Sequence, residues 1–140
     1  MKQVTFIFLF LLTVSMSAQS IFGKWENRAE DTGKVDSVIE VYEKEGKAYA
    51  KIVEITDPNR QDNVCEKCEG ENKNKPILGM DILTGLEKDG DEWSGGKILD
   101  PKTGKIYKCF ITLKKADKLK IRGYIGFSLL GKTRYWYRQK

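Results

Sequence analysis

Three cysteines are the residues whose type and spacing point most directly to chemistry. Cys65 and Cys68 form a Cys-x-x-Cys motif, and Cys109 follows on a later, partly apolar segment. Cysteines in such patterns form disulfides, bind zinc or carry out thiol redox reactions. These three uses need different surroundings, so the neighbouring residues decide among them.

The surroundings of the motif favour a structural disulfide. A reactive thiolate needs a helix N-terminus or a cation beside it. Here Glu66 lies inside the motif and Glu69 follows it, and only Lys67 opposes their charge. A zinc site would need a fourth ligand, and the chain contains no histidine. We expect one disulfide and no metal site. Pairing of Cys65 with Cys68 is favoured over the two pairings that use Cys109.

Residues Gly126–Thr133 match the phosphate-binding pattern G-x-x-x-x-G-K-T. This pattern binds phosphate only when a helix follows it and points its N-terminus at the ligand. Only seven residues follow Thr133, and aromatic residues dominate the start of that segment. We therefore expect a turn between two strands here and no nucleotide partner.

Side chains for catalysis are scarce. A chain without histidine lacks Ser-His-Asp and Cys-His machinery in their usual forms. Asp81 and Asp100 could act as a carboxylate pair on a sugar, but nothing in their spacing brings them together. We expect a protein that is not an enzyme, with no catalytic residues and no cofactor.

Aromatic residues and arginines are the remaining candidates for a binding site. The interior of a small barrel is either filled by side chains or holds one small ligand. The sequence is consistent with two interiors. One is a solid core, and the other is a pocket for a small, partly apolar or amphipathic molecule with an arginine as its polar anchor. The pocket hypothesis assigns ligand contacts to Trp25, Tyr49, Trp93, Tyr107, Arg122, Tyr124, Arg134 and Trp136.

The segments that position these residues alternate apolar and polar side chains between short turns. Such alternation predicts strands, and turn sequences such as Asp89-Gly90 predict hairpins. We infer an all-β domain over residues 19–140, a single antiparallel up-and-down β-barrel of about eight strands. The expected strands are one at Trp25 and those at Val35–Glu43, Lys47–Ile55, Ile77–Leu86, Glu92–Leu99, Ile106–Leu113, Leu119–Gly126 and Thr133–Arg138.

One long stretch interrupts this spacing. Residues 56–76 are mostly polar, lack periodicity and carry the Cys-x-x-Cys motif. A segment of this length in a compact domain is either a functional loop or a flexible insertion. A loop that covers the barrel mouth and a disordered connector are both open.

The first and last strands carry residues that could close the base of the barrel. Closure makes these strands neighbours, because a closed barrel has no free edge. A guanidinium can then stack on an indole in a cation–π contact. We predict that Arg138 covers Trp25, with Arg134 as the alternative.

Residues 1–18 have the three parts of an export signal. Lys2 is the basic start, Val4–Val14 is the apolar core, and Ser15–Ala18 is the small-residue exit. The apolar run is shorter than a bilayer span. We expect cleavage after Ala18 and a periplasmic or secreted protein that is not an integral membrane protein.

The net charge of +5 comes from 25 basic and 20 acidic residues, and the lysines are dispersed along the chain. Interspersed charges of both signs are typical of a solvated surface and differ from a nucleic-acid footprint. We expect no nucleic-acid partner.

Several motifs together resemble a known bacterial family. They are Gly23-Lys24-Trp25, the segments 93–107 and 122–133, and Trp136 with Arg138. Over nearly all of the chain after the export signal, the sequence resembles the exported bacterial proteins of family DUF2147, whose function is unassigned. That resemblance implies an architecture similar to the calycin barrels, which include the lipocalins. The calycin G-x-W motif and terminal arginine match Trp25 and Arg134 or Arg138.

Two functions are consistent with this reading. The favoured one is an exported small β-barrel that binds a small, partly apolar ligand inside the barrel. The alternative is an envelope or host-interaction protein with a filled barrel that acts through its outer surface.

Overall fold

The computed structural model describes residues 20–127 and 129–140, so the predicted export signal lies outside the described residues. Two short 3-10 turns, Pro58–Arg60 and Gly70–Asn72, interrupt the longest connection. The strands are β1 (Gly23–Arg28), β2 (Val35–Lys44), β3 (Lys47–Ile55), β4 (Asp81–Asp89), β5 (Glu92–Leu99), β6 (Ile106–Lys115), β7 (Lys118–Tyr124) and β8 (Gly131–Arg138).

The eight strands form one closed barrel. Each strand pairs antiparallel with the next along the chain, and β8 pairs antiparallel with β1. Closure satisfies the backbone groups that an edge strand would leave unpaired. The predicted all-β, eight-stranded, up-and-down barrel is confirmed.

Tight turns join the strands at one end, which we call the closed end. Glu45 and Gly46 connect β2 to β3 with φ of 53° and 77°, and Gly90, with φ of 60°, follows β4. Consecutive positive φ values match the twist of the flanking strands. Glycine adopts them at little cost, which is why the Gly-containing turn sequences predict these hairpins.

The four other connections lie at the opposite end, because successive strands run in opposite directions. We call this end the mouth. Its connections are residues 29–34, 56–80, 100–105 and 125–130. The mouth therefore has the longer connections, which can contribute residues to a binding site.

The fourth strand starts later than the apolar alternation predicts. We expected it at Ile77, whereas β4 begins at Asp81. Gly79 has a φ of 87°, which a continuous strand does not use. The Ile77 N–H donates to the Asn63 carbonyl at 3.0 Å, so this segment belongs to the long loop.

Inward-facing side chains form a single apolar cluster, which fills the closed half of the barrel and continues into the walls of the mouth half. Phe22 packs edge-on against Trp93 at its base, with ring centroids 5.6 Å apart. Each large apolar side chain that is removed from water contributes roughly 1.5–3 kcal/mol. The largest fully buried members are Trp25, Ile39, Leu83, Leu86, Ile111 and Leu119.

Candidate ligand-binding site

The mouth half of the barrel holds a cavity of about 600 Å³. Its deep wall is apolar because inward-facing positions of five strands carry isoleucine and β8 contributes a tryptophan. Sites that bind small molecules enclose roughly 300–1,000 Å³ and are mostly apolar. The apolar wall consists of Ile39, Ile52, Ile55, Ile82, Ile98, Ile121 and Trp136.

Polar side chains line the cavity closer to the mouth. Asn27 on β1 donates from Nδ2 to Ser37 Oγ on β2 at 3.4 Å. Arg60 of the long loop forms an ion pair with Asp36 at the start of β2. The cavity therefore changes from apolar to polar along its depth, which suits an amphipathic molecule.

Positive charge predominates among the described residues that line the cavity. Asp36 and Arg60 neutralise each other in their ion pair, so the other charged groups of the lining are Lys102, Lys132 and Arg134 against Asp100. Glu30 lies outside the cavity, 3.5 Å from both Lys132 Nζ and Arg134 Nε. A mouth of this composition attracts an anionic group. The lining cations are Arg60, Lys102, Lys132 and Arg134, and the lining anions are Asp36 and Asp100.

The long loop forms one side of the mouth. It folds back on itself through a bridge between Val64 and Pro76. The Cys65 N–H donates to the Lys75 carbonyl at 2.8 Å within the same hairpin. Arg60, Asn63 and Ile77 from this region reach the cavity wall. The loop is therefore a folded part of the mouth wall.

A disulfide joins Cys65 to Cys68 inside this loop, with their Cα atoms 5.3 Å apart. Both cysteines are buried and pack with Met80 and Leu99 in a cluster separate from the main core. The disulfide is the one that the sequence favours. It anchors the loop to the end of β5.

Cys109 is unpaired and buried on β6. Burial raises the pKa of its thiol from 9.0 to about 12. A thiol of that pKa is almost entirely protonated at neutral pH, and the thiolate is the reactive form. Cys109 therefore acts as a small apolar core residue.

Trp25 and Arg138 close the base of the barrel. They are opposite each other on β1 and β8, and the guanidinium carbon lies 4.2 Å from the indole centroid. Arg138 also donates to the carbonyls of Ser20, Phe22 and Ala116 at 2.6, 3.1 and 2.8 Å. One side chain thus connects the N-terminal segment, the base tryptophan and the β6–β7 turn.

Half of the residues that the pocket hypothesis names do line the cavity. Tyr107 and Trp136 face it from β6 and β8, and Tyr124 ends β7 at the mouth. Arg134 also lines it, so this arginine is a mouth residue and takes no part in covering Trp25. The structure brings these four together because their strands are consecutive.

Trp25 and Trp93 do not line the cavity, contrary to that hypothesis. Both face inward, but they lie at the closed end, where Trp25 has 0% of its surface exposed and Trp93 packs on Phe22. Strand direction explains the difference, because a residue near the start of β1 or β5 is at the base.

Tyr49 and Arg122 also lie outside the cavity, on the outer face of the sheet. Tyr49 stacks on Tyr42 of the adjacent strand, with ring centroids 5.8 Å apart. Arg122 donates from Nη1 to Thr133 Oγ1 at 3.0 Å. Period-two alternation on β3 and β7 turns both side chains away from the interior.

The pattern of aromatic residues in the sequence identifies neither the isoleucine wall nor the loop residues of the cavity. The isoleucine wall could have been predicted from the apolar alternation of the strands, because Ile39 and Ile121 occupy inward positions in it. No sequence pattern predicts that Arg60 and Asn63 line the cavity, because their position at the mouth depends on how the long loop folds.

The other predicted motifs can be placed on the structure. Thr133 lies within β8, so the phosphate-binding pattern continues into a strand and not into a helix. Among residues 20–127 and 129–140, no three His, Cys, Asp or Glu side chains are grouped to hold a metal ion. Within the same residues, no helix has the length and apolar content to cross a membrane.

Comparison with a solved structure supports the barrel assignment. The chain is similar in structure to "Protein HP1028 from the human pathogen Helicobacter pylori belongs to the lipocalin family". The TM-score is 0.76 at 21% sequence identity, over 88% of this chain and 85% of that one. At this identity the likeness concerns the fold alone.

Comparison with curated proteins yields no match. The model of the family described as "Uncharacterized protein conserved in bacteria (DUF2147)" matches residues 23–138. That match extends from the first residue of β1 to the last residue of β8, so it includes every strand of the barrel and both sides of its mouth. The chain therefore belongs to the bacterial family DUF2147.

Proposed function

We propose that this protein is an exported barrel that binds one small amphipathic molecule in the cavity at its mouth. The apolar part of the molecule contacts the isoleucine wall and Trp136. A carboxylate or another anionic head group lies among the basic residues near the opening. The protein acts by binding and does not transform its ligand.

One observation carries this proposal: the cavity of about 600 Å³ is apolar in its depth and basic at its opening. Two gradients in the same direction, from apolar to polar and from neutral to positive, fit a molecule with an apolar body and an anionic end. A barrel filled by side chains, as the alternative function supposes, would leave no such space in the mouth half.

Export is part of the same proposal. An apolar ligand outside the cytoplasm needs a carrier or receptor, because its solubility in water is low. Residues 1–18 have the form of an export signal, and a disulfide is stable in the compartment to which such a signal leads.

Binding is tested by titrating the processed protein with a saturated fatty acid and with the alcohol of equal length. Ligand contact should change the fluorescence of Trp136, so a Trp136→Phe variant should lose most of the response. The acid should bind more tightly than the alcohol by about tenfold, which corresponds to roughly 1.4 kcal/mol. Arg134→Gln should reduce that preference.

Gly123 offers a variant that fills the cavity without straining the backbone. It lines the cavity, and a Cβ at this position would meet Ile98 and Tyr107 only at 3.5 and 3.7 Å, an ordinary contact distance. Gly123→Leu should therefore abolish binding in a folded barrel. Thr112→Leu adds similar bulk to the outer face of β6 and should leave binding unchanged. Equal binding by both variants would contradict the proposed site.

A further inference from the structure

The β7–β8 loop exposes a group of large apolar side chains at the mouth. Ile125, Phe127, Leu129 and Leu130 have 65, 60, 83 and 61% of their surface exposed. Apolar residues are often exposed singly, but a contiguous group on a monomer marks an interaction site. Four of them in one short connection indicate an interaction surface.

The loop holds these side chains outward by its own hydrogen bonds. The Ile125 N–H donates to the Leu130 carbonyl at 3.1 Å, and the Leu130 N–H donates to the Phe127 carbonyl at 3.0 Å. Arg122 Nη2 donates to the Leu129 carbonyl at 3.4 Å. The apolar tip is thus a shaped turn fixed to the end of the barrel.

Basic residues surround this tip. Residues 101–140 contain 12 lysines and arginines and one acidic residue, Asp117. Asp117 lies near the closed end, as do the basic residues Lys114, Lys115, Lys118 and Arg138. The outer face of the sheet beside the loop carries Lys108, which is opposite Tyr124 across β6 and β7. Lys105 and Lys132 belong to the adjoining parts of the mouth. Lysines therefore outnumber acidic residues beside this loop, where Glu30 lies 3.5 Å from Lys132.

An exposed apolar residue extends the tip along the neighbouring strand. Ile106, with 60% of its surface exposed, begins β6 two residues nearer the mouth than Lys108. Phe110 follows on the outer face, and Tyr124, which lines the rim of the cavity, packs its ring on Phe110 with centroids 6.2 Å apart. Apolar and aromatic side chains thus alternate with lysines from the loop onto the outside of the barrel.

We propose that this part of the mouth docks on the surface of an anionic lipid bilayer. The apolar tip enters the boundary between head groups and acyl chains, and the lysines contact the lipid phosphates. Apolar area and attraction between basic residues and anionic lipids together determine the strength of such binding. This inference does not depend on ligand binding in the cavity.

The same features disfavour two other partners for this surface, a second copy of the chain and a different protein. A second copy would bring two faces with an excess of lysine together, and like charges repel across an interface. A partner protein usually meets a broad surface with a hydrophobic core and a polar rim. Here the apolar group is a narrow protrusion with cations beside it, a shape that suits a soft, negatively charged surface.

Co-sedimentation with lipid vesicles tests the proposal. The processed protein should bind vesicles of phosphatidylglycerol mixed with phosphatidylcholine at least about tenfold more tightly than vesicles of phosphatidylcholine alone. Binding should weaken as salt is added, because the Debye length falls to about 3 Å at 1 M salt. Equal binding to both vesicle types, or binding to neither, would overturn the proposal.

Two pairs of variants separate the apolar and the basic contributions. Leu129→Asn should reduce vesicle binding by about tenfold, whereas Leu78→Asn, at an exposed leucine of the long loop, should not. Lys105→Gln with Lys108→Gln should reduce binding to anionic vesicles, whereas Lys24→Gln with Lys88→Gln should not. Thermal unfolding midpoints verify that all variants fold, since every substituted side chain is exposed.

The competing explanation has its own signature. If the tip instead covers a second copy of the chain, sedimentation velocity will show a dimer without lipid, and Leu129→Asn will convert it to a monomer. That result, or a Leu129→Asn variant that binds anionic vesicles as well as Leu78→Asn does, would overturn membrane docking.

Discussion

The guanidinium of Arg138 lies 4.2 Å above the indole of Trp25, and the two residues are directly opposite each other on the last and first strands. This contact joins the ends of the domain at the point where the barrel closes. It is made between a fully buried aromatic ring and a cation that also donates to three backbone carbonyls. The base is therefore a structural unit, distinct from the cavity at the mouth.

Loss of the Trp25 ring should destabilise the whole domain. We expect Trp25→Ala to reduce the free energy of unfolding by about 3–5 kcal/mol, the usual cost of truncating a core tryptophan. Denaturant unfolding measures the effect, with Tyr42→Ala as the partly exposed aromatic control. Arg138→Lys should also destabilise, because an ammonium has no flat face to stack on the indole. A Trp25→Ala loss no larger than that of Tyr42→Ala would show that the base is not held in this way.

Gly104 should be essential for seating the long loop. It has a φ of 72°, and a Cβ at this position would overlap the Lys67 carbonyl. Gly33 has a similar φ of 69° but no neighbour within 4 Å of such a Cβ. Both Gly→Ala variants should lose roughly 1 kcal/mol of unfolding free energy because alanine disfavours a positive φ. Any further loss of stability in Gly104→Ala therefore measures the steric clash with Lys67. We expect that further loss, together with faster proteolysis within residues 56–80.

The disulfide should contribute modestly to global stability. Cross-links that close short loops restrict the unfolded chain least, so replacing Cys65 and Cys68 with serine should cost less than about 3 kcal/mol. Most of the effect should be local, seen as faster amide hydrogen exchange in the loop. Mass mapping of the folded protein should find Cys109 as the free thiol. Three free thiols would contradict the pairing.

Cys109 should make stability depend on alkaline pH. Burial raises its thiol pKa from 9.0 to about 12, so above pH 9 the unfolded chain loses this proton while the folded chain keeps it. The stabilising contribution is complete below pH 9 and is lost as pH rises toward 12. The stability difference between the wild type and Cys109→Ala should therefore shrink above pH 9, by at most about 1.4 kcal/mol per pH unit.

A control separates this titration from other alkaline effects. Val41 is buried at the closed end and does not titrate. The stability difference between the wild type and Val41→Ala should therefore stay constant over the same pH range. A constant difference for Cys109→Ala as well would mean that the thiol titrates normally in the folded protein.

Processing of the N-terminus tests the export hypothesis. We expect the protein recovered from the cell envelope or the medium to begin at or near Gln19, because residues 1–18 have the form of an export signal. N-terminal sequencing or intact mass measures this directly. A cytoplasmic protein that retains residues 1–18 would rule out export.

Much of the fold follows from local sequence. Strands alternate with a period of two, and the turn sequences at Glu45-Gly46 and Asp89-Gly90 permit few other backbone paths, so eight strands could be inferred along the chain. The pairing of the first strand with the last then follows from closure alone. For this reason a contact between Trp25 and an arginine of the last strand, Arg138 or Arg134, could be predicted from the sequence, and the register of β1 with β8 selects Arg138.

The location of the cavity is decided by the tertiary structure. Trp93 and Tyr107 both face the interior, yet β5 and β6 run in opposite directions, so Trp93 belongs to the packed base and Tyr107 to the open mouth. A bulge at Val53 lets Ile52 and Ile55 both face inward, while Tyr49 faces out. Period-two alternation identifies inner and outer faces, but only the assembled barrel shows which inner positions are filled. Arg60 reaches the cavity through the fold of a long loop, which no local pattern specifies.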